Sequence, residues 1–415
     1  MDFTLTSEQQ LLKDSTARLL ADVYDFEQRA AYGLCESGWS RMVWRRLAEM
    51  GLLGIGVPED LGGTGGGAFE TMVVMEEMGR KLTLEPYVAT AVVGRNLLLA
   101  GGSAAQQAAL LPRLVEGKLV LALAALERQA RYDLNDVATT ARPAATAQGQ
   151  GWLLDGRKPL VVHGDSADLL LVTARVSGAQ RDAQGISLFM VPVDRPGVTR
   201  QHTTQVDGRR AADIVLQGVQ VTRDDLLGAP GAALPLLEAA REAGVVAELA
   251  EAIGCMEEML AMTFEYLKTR TQFGRTLSTF QALQHRAADM LMQLEQARSL
   301  TILATSLLDQ PASAERSRWI AGARAFSCDA CRFVAESGVQ LHGGIGITME
   351  HKAAHLLRRL VALQYGHGDR DHHFERFSAL LDAADAAEAA DAAAPAAAAA
   401  PAAFAEADAV AAAAA

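Results

Sequence analysis

Hydrophobic and polar residues alternate with two different periods along this chain, and the change of period divides it into regions. In residues 1–118, apolar residues recur about every three to four positions, as in LLKDSTARLLADVY and WSRMVWRRLAEMGLLG, a spacing typical of amphipathic helices. The first of these runs follows Thr6-Ser7-Glu8-Gln9, which has the composition of a capped helix start. The pattern predicts an N-terminal helical domain.

The period shortens in residues 119–230. Segments such as DLLLVTARV and GISLFMVPV are short, rich in Val, Leu and Ile, and bounded by Gly, Pro and Asp, which predicts strands of a small β-barrel or sandwich. Long helical periods return in residues 231–381 and predict a C-terminal helical bundle. The expected fold class is mainly α with a central β-domain.

Residues 382–415 are almost entirely alanine with scattered acidic residues and two prolines, Pro395 and Pro401. Alanine favours helix, but the segment has no apolar face that could pack against the rest of the chain. We therefore expect a low-complexity and largely disordered tail.

Charge and cysteine content exclude several classes of function. The net charge is −12, and no basic stripe indicates nucleic acid, although a local cluster of Arg and Lys could still bind an anion. Four cysteines and an N-terminus without a basic and apolar leader predict a cytoplasmic protein, and no apolar run is long enough to span a membrane. Cys328 and Cys331 lie in a helical pattern without a second ligand pair, so we predict helix core and no metal site.

Three glycine-containing stretches attract attention. The GGTGGG run at Gly62–Gly67 lacks the Lys-Ser/Thr of a phosphate loop, so a flexible connector is the better interpretation. Arg270–Gly274 (RTQFG) ends a long helical pattern, where a guanidinium could reach a phosphate. Gln340–Gly346 (QLHGGIG) would let a ligand approach its backbone closely. By spacing alone, a helix–loop–helix in which Arg270 caps its own helix is the simpler interpretation.

Together, the last two stretches resemble the acyl-CoA dehydrogenase family, which carries an RxQFG segment and a Q-[LF]-x-G-G-x-G segment in this order. The resemblance extends over residues 1–380, roughly, and implies an N-terminal α-domain, a middle β-domain and a C-terminal four-helix bundle. It also implies FAD-dependent α,β-dehydrogenation of an acyl-CoA, with an electron-transfer flavoprotein as electron acceptor.

Phrases such as EYLKTRTQFG and HGGIGITME resemble the small subunits of the pimeloyl-CoA dehydrogenase branch of this family. That resemblance implies a medium-chain or dicarboxylyl-CoA substrate such as pimeloyl-CoA. It also implies either a homo-oligomer or a hetero-oligomer with a large acyl-CoA dehydrogenase subunit.

The resemblance assigns the diphosphate and adenine of FAD to residues that reach across a dimer interface to a flavin in the neighbouring subunit. All of them are present in this chain: Arg270, Gln272, Phe273, Gln281, Gln340, Gly343, Gly344 and Gly346.

The half of the family site that contacts the flavin ring is altered. A family run similar to T-E-P-x-A-G-S-D corresponds to Leu126–Asp133, which keeps Glu127 and Asp133 but loses the small residues between them. The family run K-x-W-I-T corresponds to Lys158–Val162, which lacks both the aromatic residue and the threonine that would contact the flavin. We expect weak flavin binding on this side, unless backbone groups substitute.

The catalytic base is also altered. An ungapped count from Gly343 places His367 at the common position of the family's glutamate, and Gly244 at the alternative position. The candidate carboxylates are therefore Asp369, close to His367, and Glu251, two helical turns beyond Gly244, with Glu248 between them. A lone Glu on a helix more commonly faces solvent.

Two other functions remain open at this stage. The chain could be a catalytically silent subunit that completes the FAD site of its partner. It could also be a flavin monooxygenase, or a nitroalkane-oxidase-like enzyme, of the same fold.

Overall fold

The N-terminal region is helical in the computed structural model, which describes residues 4–146 and 149–398. The predicted start at Thr6 is confirmed, because its hydroxyl accepts a hydrogen bond from the backbone N–H of Gln9 at 3.2 Å and the Gln9 side chain accepts one in return. A wide π-helical stretch, Val88–Gly94, runs directly into the next helix. The helices of this region are α1 (Ser7–Val23), α2 (Phe26–Gly33), α3 (Arg41–Glu49), α4 (Ala68–Lys81), α5 (Arg95–Gly101) and α6 (Ala104–Val115).

The middle region forms one eight-stranded sheet with the strand order β6-β7-β3-β2-β4-β5-β8, and β1 pairs in parallel with β4. All seven residues of β4 are buried, as expected for a strand covered on both faces. The strands are β1 (Leu121–Ala124), β2 (Thr140–Thr146), β3 (Gly149–Val162), β4 (Leu169–Arg175), β5 (Ile186–Pro192), β6 (Val198–Thr204), β7 (Arg210–Thr222) and β8 (Leu226–Leu227).

The C-terminal region is a helical bundle around one long central helix, and the predicted fold class is confirmed. The elements are α7 (Leu234–Thr269), a hairpin of β9 (Thr271–Gln272) and β10 (Arg275–Thr276), α8 (Gln281–Leu308), α9 (Ala314–His342), α10 (Lys352–Leu363) and α11 (Arg370–Ala398). Helix α7 also packs against α4 of the N-terminal region, where Gly79 and Gly254 are both required: a Cβ on either would overlap the backbone of the facing helix. Cys328 and Cys331 are buried in α9, as predicted.

The ion pairs of Glu251 join the three regions. Glu251 lies on α7 with 0% of its surface exposed, and it accepts hydrogen bonds from Arg209 of the β6–β7 turn and from Arg359 of α10. Arg209 also donates to the carbonyl of Thr83 in the N-terminal region at 2.9 Å. Arg359 binds Asp207 at 2.8 Å. One buried carboxylate thus connects the helical, sheet and bundle regions.

Helix α11 extends through Ala398, so the expectation of disorder is wrong for residues 382–398. The physical reason is the high intrinsic helix propensity of alanine, which continues a helix that is already nucleated by bundle packing upstream. Residues 399–415 of the predicted tail lie outside the described residues. No helix in the described part of the chain is long and apolar enough to cross a membrane.

Deletion of residues 390–415 should leave the melting temperature and the assembly state unchanged. The side chains that fix α11 to the bundle lie near its start, where the ring of Phe377 contacts Trp319 with centroids 6.4 Å apart. Thermal melting and size-exclusion chromatography would measure the effect. As a control, a truncation that also removes Phe377 should destabilise the bundle, and a large loss of stability from the shorter deletion would contradict the expectation.

Candidate functional site

The first half of the candidate site is the turn that follows α7. Arg270 ends the helix, its backbone turns to an extended conformation, and Phe273 and Gly274 then adopt left-handed conformations with φ of +54° and +77°. The backbone N–H of Leu277 donates to the carbonyl of Arg270 at 2.9 Å, which closes the hairpin. The Arg270 side chain is exposed and makes no hydrogen bond or ion pair with any described residue. Its guanidinium is therefore available to a ligand, and the interpretation of Arg270 as a cap of its own helix is not supported.

The second half is the glycine turn that follows α9. Gly343 ends the helix with φ of +66°, and neither Gly343 nor Gly344 has another atom within 4 Å of the place where a Cβ would stand. Gly346 has a different role, because a Cβ there would lie 2.9 Å from Cβ of His342 and 3.0 Å from the carbonyl oxygen of Val339. The first two glycines leave open space for a ligand, whereas the third permits close backbone packing.

These two turns meet around one open cavity of about 770 Å³, a size within the range of ligand pockets. Five of the eight residues assigned from the resemblance line it: Arg270, Gln272, Gln340, Gly343 and Gly344. The other three, Phe273, Gln281 and Gly346, are not among its lining residues. The remaining lining residues are Tyr266, Leu277, Ala282, Leu283, Arg286, Leu341, His342 and Ile345.

Sequence reasoning missed Arg286, Tyr266 and His342. Arg286 brings a second guanidinium to the cavity, and its signal was present in the sequence: Ala282, Leu283 and Arg286 have the spacing of one face of α8. The rings of Tyr266 and His342 stack with centroids 4.8 Å apart, and Nδ1 of His342 lies 2.8 Å from the carbonyl oxygen of Gly338. The cavity thus combines two cations, two side-chain amides and a flat ring surface.

Around His367 the structure brings together the two positions at which the family resemblance leads one to expect a base, Gly244 and His367. A Cβ on Gly244 would lie 2.7 Å from Nε2 of His367, so the absence of a side chain on Gly244 makes room for the imidazole. Nδ1 of His367 lies 3.1 Å from Oε1 of Glu248, an ion-pair distance at which the angle does not meet hydrogen-bond geometry. The sequence pattern gave no sign of this contact, because it joins residues on α7 and beyond α10.

Glu248 is held on its other side as well. Its Oε2 accepts a hydrogen bond from Arg324 at 2.9 Å, and Arg324 also donates to the carbonyls of Leu363 and Gly366. Burial alone would raise the pKa of Glu248, but the neighbouring His367 and Arg324 side chains outweigh burial and lower it to about 2. A carboxylate with so low a pKa is a weak proton acceptor.

The two candidate bases are both engaged in structural contacts. Glu251 is enclosed by Arg209 and Arg359, each at 2.7 Å, and thus neither faces solvent nor has an oxygen free for substrate. Asp369 caps α11, because its Oδ1 accepts a hydrogen bond from the backbone N–H of His372 at 2.9 Å. Its Oδ2 lies 3.5 Å from Arg131. These contacts do not favour either residue as a base.

On the sheet, two of the three residues that are retained from the family's flavin segments, Lys158 and Glu127, bind each other. Nζ of Lys158 donates to Glu127 at 2.7 Å, and both side chains are buried. Burial lowers the pKa of Lys158 to about 8, while the lysine outweighs burial at Glu127 and lowers that pKa to about 2. Their retention is therefore explained by an internal ion pair. The positions that differ from the family, Leu160 and Val162, are 56% and 39% exposed and offer no hydroxyl.

Comparison with known proteins decides the family. Models of the acyl-CoA dehydrogenase N-terminal, middle and C-terminal domains match residues 6–118, 122–219 and 243–379. The chain belongs to the acyl-CoA dehydrogenase family. It is therefore an oxidoreductase that acts on acyl-CoA, in a family that is generally FAD-dependent.

Relatives of this acyl-CoA dehydrogenase match over most of its length. Probable acyl-CoA dehydrogenase YngJ of Bacillus subtilis is 29% identical over 379 residues, which are 89% of this chain and 96% of that protein. The butyryl-CoA dehydrogenase of Megasphaera elsdenii superposes with a TM-score of 0.84 at 25% identity, over 92% of this chain and 100% of that chain. A chain of the ChsE4-ChsE5 complex from Mycobacterium tuberculosis superposes with a TM-score of 0.81 at 25% identity, over 92% and 99%.

Replacement of Glu251 by Gln should lower the free energy of unfolding by about 3–5 kcal/mol, because it leaves two buried guanidinium groups without their shared anion. Urea unfolding followed by circular dichroism would measure this loss. The matched control is Glu336→Gln, which removes an exposed i,i+4 pair with Arg332 and should cost about 0.5 kcal/mol or less. Loss of activity at unchanged stability would instead support Glu251 as the base.

Proposed function

We propose that this chain is a subunit of an FAD-dependent acyl-CoA dehydrogenase and that it holds the diphosphate of an FAD whose flavin ring lies in a neighbouring, unlike subunit. The observation that carries the proposal is the cavity in which Arg270, Arg286 and the glycine turn at Gly343 meet. FAD, when bound, accepts the hydride that leaves the β-carbon of the acyl thioester. The part of this chain is to bind and orient the cofactor.

The residues of the cavity fit a diphosphate. Two guanidinium groups can form charge-assisted hydrogen bonds with phosphate oxygens, and guanidinium geometry suits bidentate contacts. The open space at Gly343 and Gly344 lets a phosphate approach the backbone. The stacked rings of Tyr266 and His342 offer an adjoining planar surface of the kind on which a nucleobase can stack.

The surface beside the cavity fits a neighbouring subunit. Phe273 is 90% exposed at the tip of the hairpin, while Ile345 and Ile347 of the glycine turn are 48% and 69% exposed. Large apolar side chains that protrude next to a ligand site are typical of an interface that closes over the ligand. The exposure of Phe273 thus supports the role across an interface that the family resemblance implies.

The position of the base in this chain supports an unlike partner. Glu248 forms an ion pair with Arg324 and also contacts His367. These contacts lie where the family resemblance implies a free carboxylate. Nearby, Arg241 is also buried, burial lowers its pKa to about 10, and it donates to the carbonyl of Tyr132 at 3.3 Å. Buried charges of this kind disfavour an apolar acyl chain. A partner with an intact flavin bed and base would therefore carry out the chemistry.

The proposed substrate class and electron acceptor rest on the family resemblance. The likeness to the pimeloyl-CoA dehydrogenase branch supports a medium-chain or dicarboxylyl-CoA substrate, with an electron-transfer flavoprotein as acceptor. The two-protein ChsE4-ChsE5 complex shows that the fold occurs in assemblies named for two components. A flavin monooxygenase of this fold is the alternative, and it would consume oxygen rapidly during turnover, whereas a dehydrogenase would reduce the electron-transfer flavoprotein.

Replacement of Arg270 by Ala should weaken FAD retention in the assembled enzyme by about 10- to 100-fold, which corresponds to loss of a charge-assisted contact of about 1.5–3 kcal/mol. Fluorescence titration of the apo-assembly with FAD would give the dissociation constants. The control is Arg275→Ala on the same hairpin: Arg275 lies 4.0 Å above the ring of Phe280 and does not line the cavity. Equal FAD affinity of the Arg270 variant and the wild type would contradict the proposal.

The assembled enzyme should contain about one FAD for every two chains, because only sites with the partner's flavin bed would be filled. Released flavin, measured by absorbance against the concentrations of both subunits, would give the ratio. His367→Ala should change turnover by less than about twofold, since His367 would line an empty site. One FAD per chain in an active homo-oligomer that His367→Ala inactivates would overturn the proposal and identify His367 as a base.

A further inference from the structure

A second cavity, of about 330 Å³, lies inside the helical body between α4, α5, α7 and the end of α8, apart from the FAD cavity. From the state of Arg95, which lines this cavity, we propose that it is a binding site for an aliphatic carboxylate. The site is distinct from the proposed FAD contact and does not depend on it.

Arg95 is a buried cation without a counter-ion. Only 8% of its surface is exposed, its Nη1 donates to the carbonyl of Ile55, and its Nε has no hydrogen-bond partner among the described residues. Among the described residues, no carboxylate lies within ion-pair distance of Arg95, and the charge of Asp309 acts on it from beyond that distance. An uncompensated buried charge costs several kcal/mol, roughly, so an anionic ligand would relieve a real penalty.

The backbone is shaped around this guanidinium. Gly56 has φ of +76°, and a Cβ there would lie 2.5 Å from Nη1 and 2.8 Å from Cζ of Arg95. Both the left-handed conformation and the missing side chain are therefore needed for Arg95 to occupy its place. This close fit indicates that the backbone at Gly56 holds the Arg95 guanidinium in one defined position.

The other charged residues of the cavity are already satisfied. Arg316 forms an ion pair with Glu242 at 2.8 Å and also donates to the carbonyl of Gln310. Asp309 accepts a hydrogen bond from the backbone N–H of Ala68, the first residue of α4, at 2.9 Å. The helix start is thus occupied by a carboxylate of the chain itself, and Arg95 is the charge left for a ligand.

The remaining lining defines the class of ligand. Small and apolar side chains leave the space: Ala68, Met72, Val92, Ala100, Leu236, Ala239, Ala240, Ala243, Val246, Ala247 and Leu308. Two uncharged polar side chains also line the cavity, Thr71 and Asn96, and they donate to the carbonyls of Gly67 and Val92. A guanidinium fork beside these small and aliphatic side chains suits a carboxylate on a short aliphatic chain. Gly66 and Gly67 also line this cavity. The GGTGGG run, which lacks the residues of a phosphate loop, therefore borders the proposed carboxylate site.

The ligand of this class is a free short-chain carboxylic acid. Isothermal titration calorimetry of the assembled enzyme with sodium acetate, butyrate and hexanoate, each against sodium chloride at equal ionic strength, tests for it. We expect saturable binding that tightens with chain length.

Three variants make the test specific. Arg95→Met should weaken carboxylate binding at least tenfold, while the FAD content stays the same. Ala239→Leu should abolish the gain with chain length by filling the cavity without a change of charge. Arg45→Met, at an exposed arginine of α3, is the control and should have no effect.

Two results would overturn the inference. One is the absence of any carboxylate binding beyond that of chloride. The other is binding that survives Arg95→Met unchanged. If Arg95→Met fails to fold, Ala239→Leu decides, because undiminished chain-length dependence in that variant would place the ligand elsewhere.

Discussion

The ion pairs of Glu251 are the contact on which the arrangement of this molecule depends. A fully buried carboxylate on α7 binds Arg209 from the sheet region and Arg359 from α10, with donor–acceptor distances of 2.7 Å. Arg209 and Arg29 extend the contact to the carbonyls of Thr83 and Leu82 in the helical region. Because loss of one partner would leave a charge buried without compensation, the regions are held in one relative placement.

In this placement, the two halves of the site that the family resemblance implies differ in whether their polar groups already have partners within this chain. At one end of the bundle, the turns after α7 and α9 meet, the side chains of Arg270 and Arg286 make no hydrogen bond or ion pair with a described residue, and Gly343 and Gly344 leave open space beside them. Near the sheet, by contrast, the polar groups satisfy one another: Lys158 binds Glu127, and Arg324 binds Glu248. The groups at the two turns could therefore bind a ligand that is shared with a neighbouring subunit. The groups near the sheet already bind one another, so they are not available to a flavin ring or a substrate in this chain.

Local patterns in the sequence were sufficient for the elements and for the two turns that border the first cavity, but the ligand role of those turns came from the family resemblance, and Arg286, Tyr266 and His342 were missed. The capping box at Thr6 and the positions of Arg270 and Gly343 at helix ends depend on neighbouring residues, so they could be predicted. The environment of Glu251 could not, because its partners lie 42 and 108 residues away and only the tertiary fold brings them together. For the same reason, the sequence gave no indication of the contact between His367 and Glu248 or of the unpaired state of Arg95.

We have proposed that this chain binds the diphosphate of an FAD whose flavin ring lies on another subunit. A cryo-EM structure of the enzyme purified with its partner would test it most directly. We expect density for the FAD diphosphate against Arg270, Gln340 and Gly343 of this chain. The isoalloxazine should lie on the partner's sheet, with no such density beside Leu160 and Val162. Density for an isoalloxazine ring on this chain's own sheet, beside His367, would contradict it.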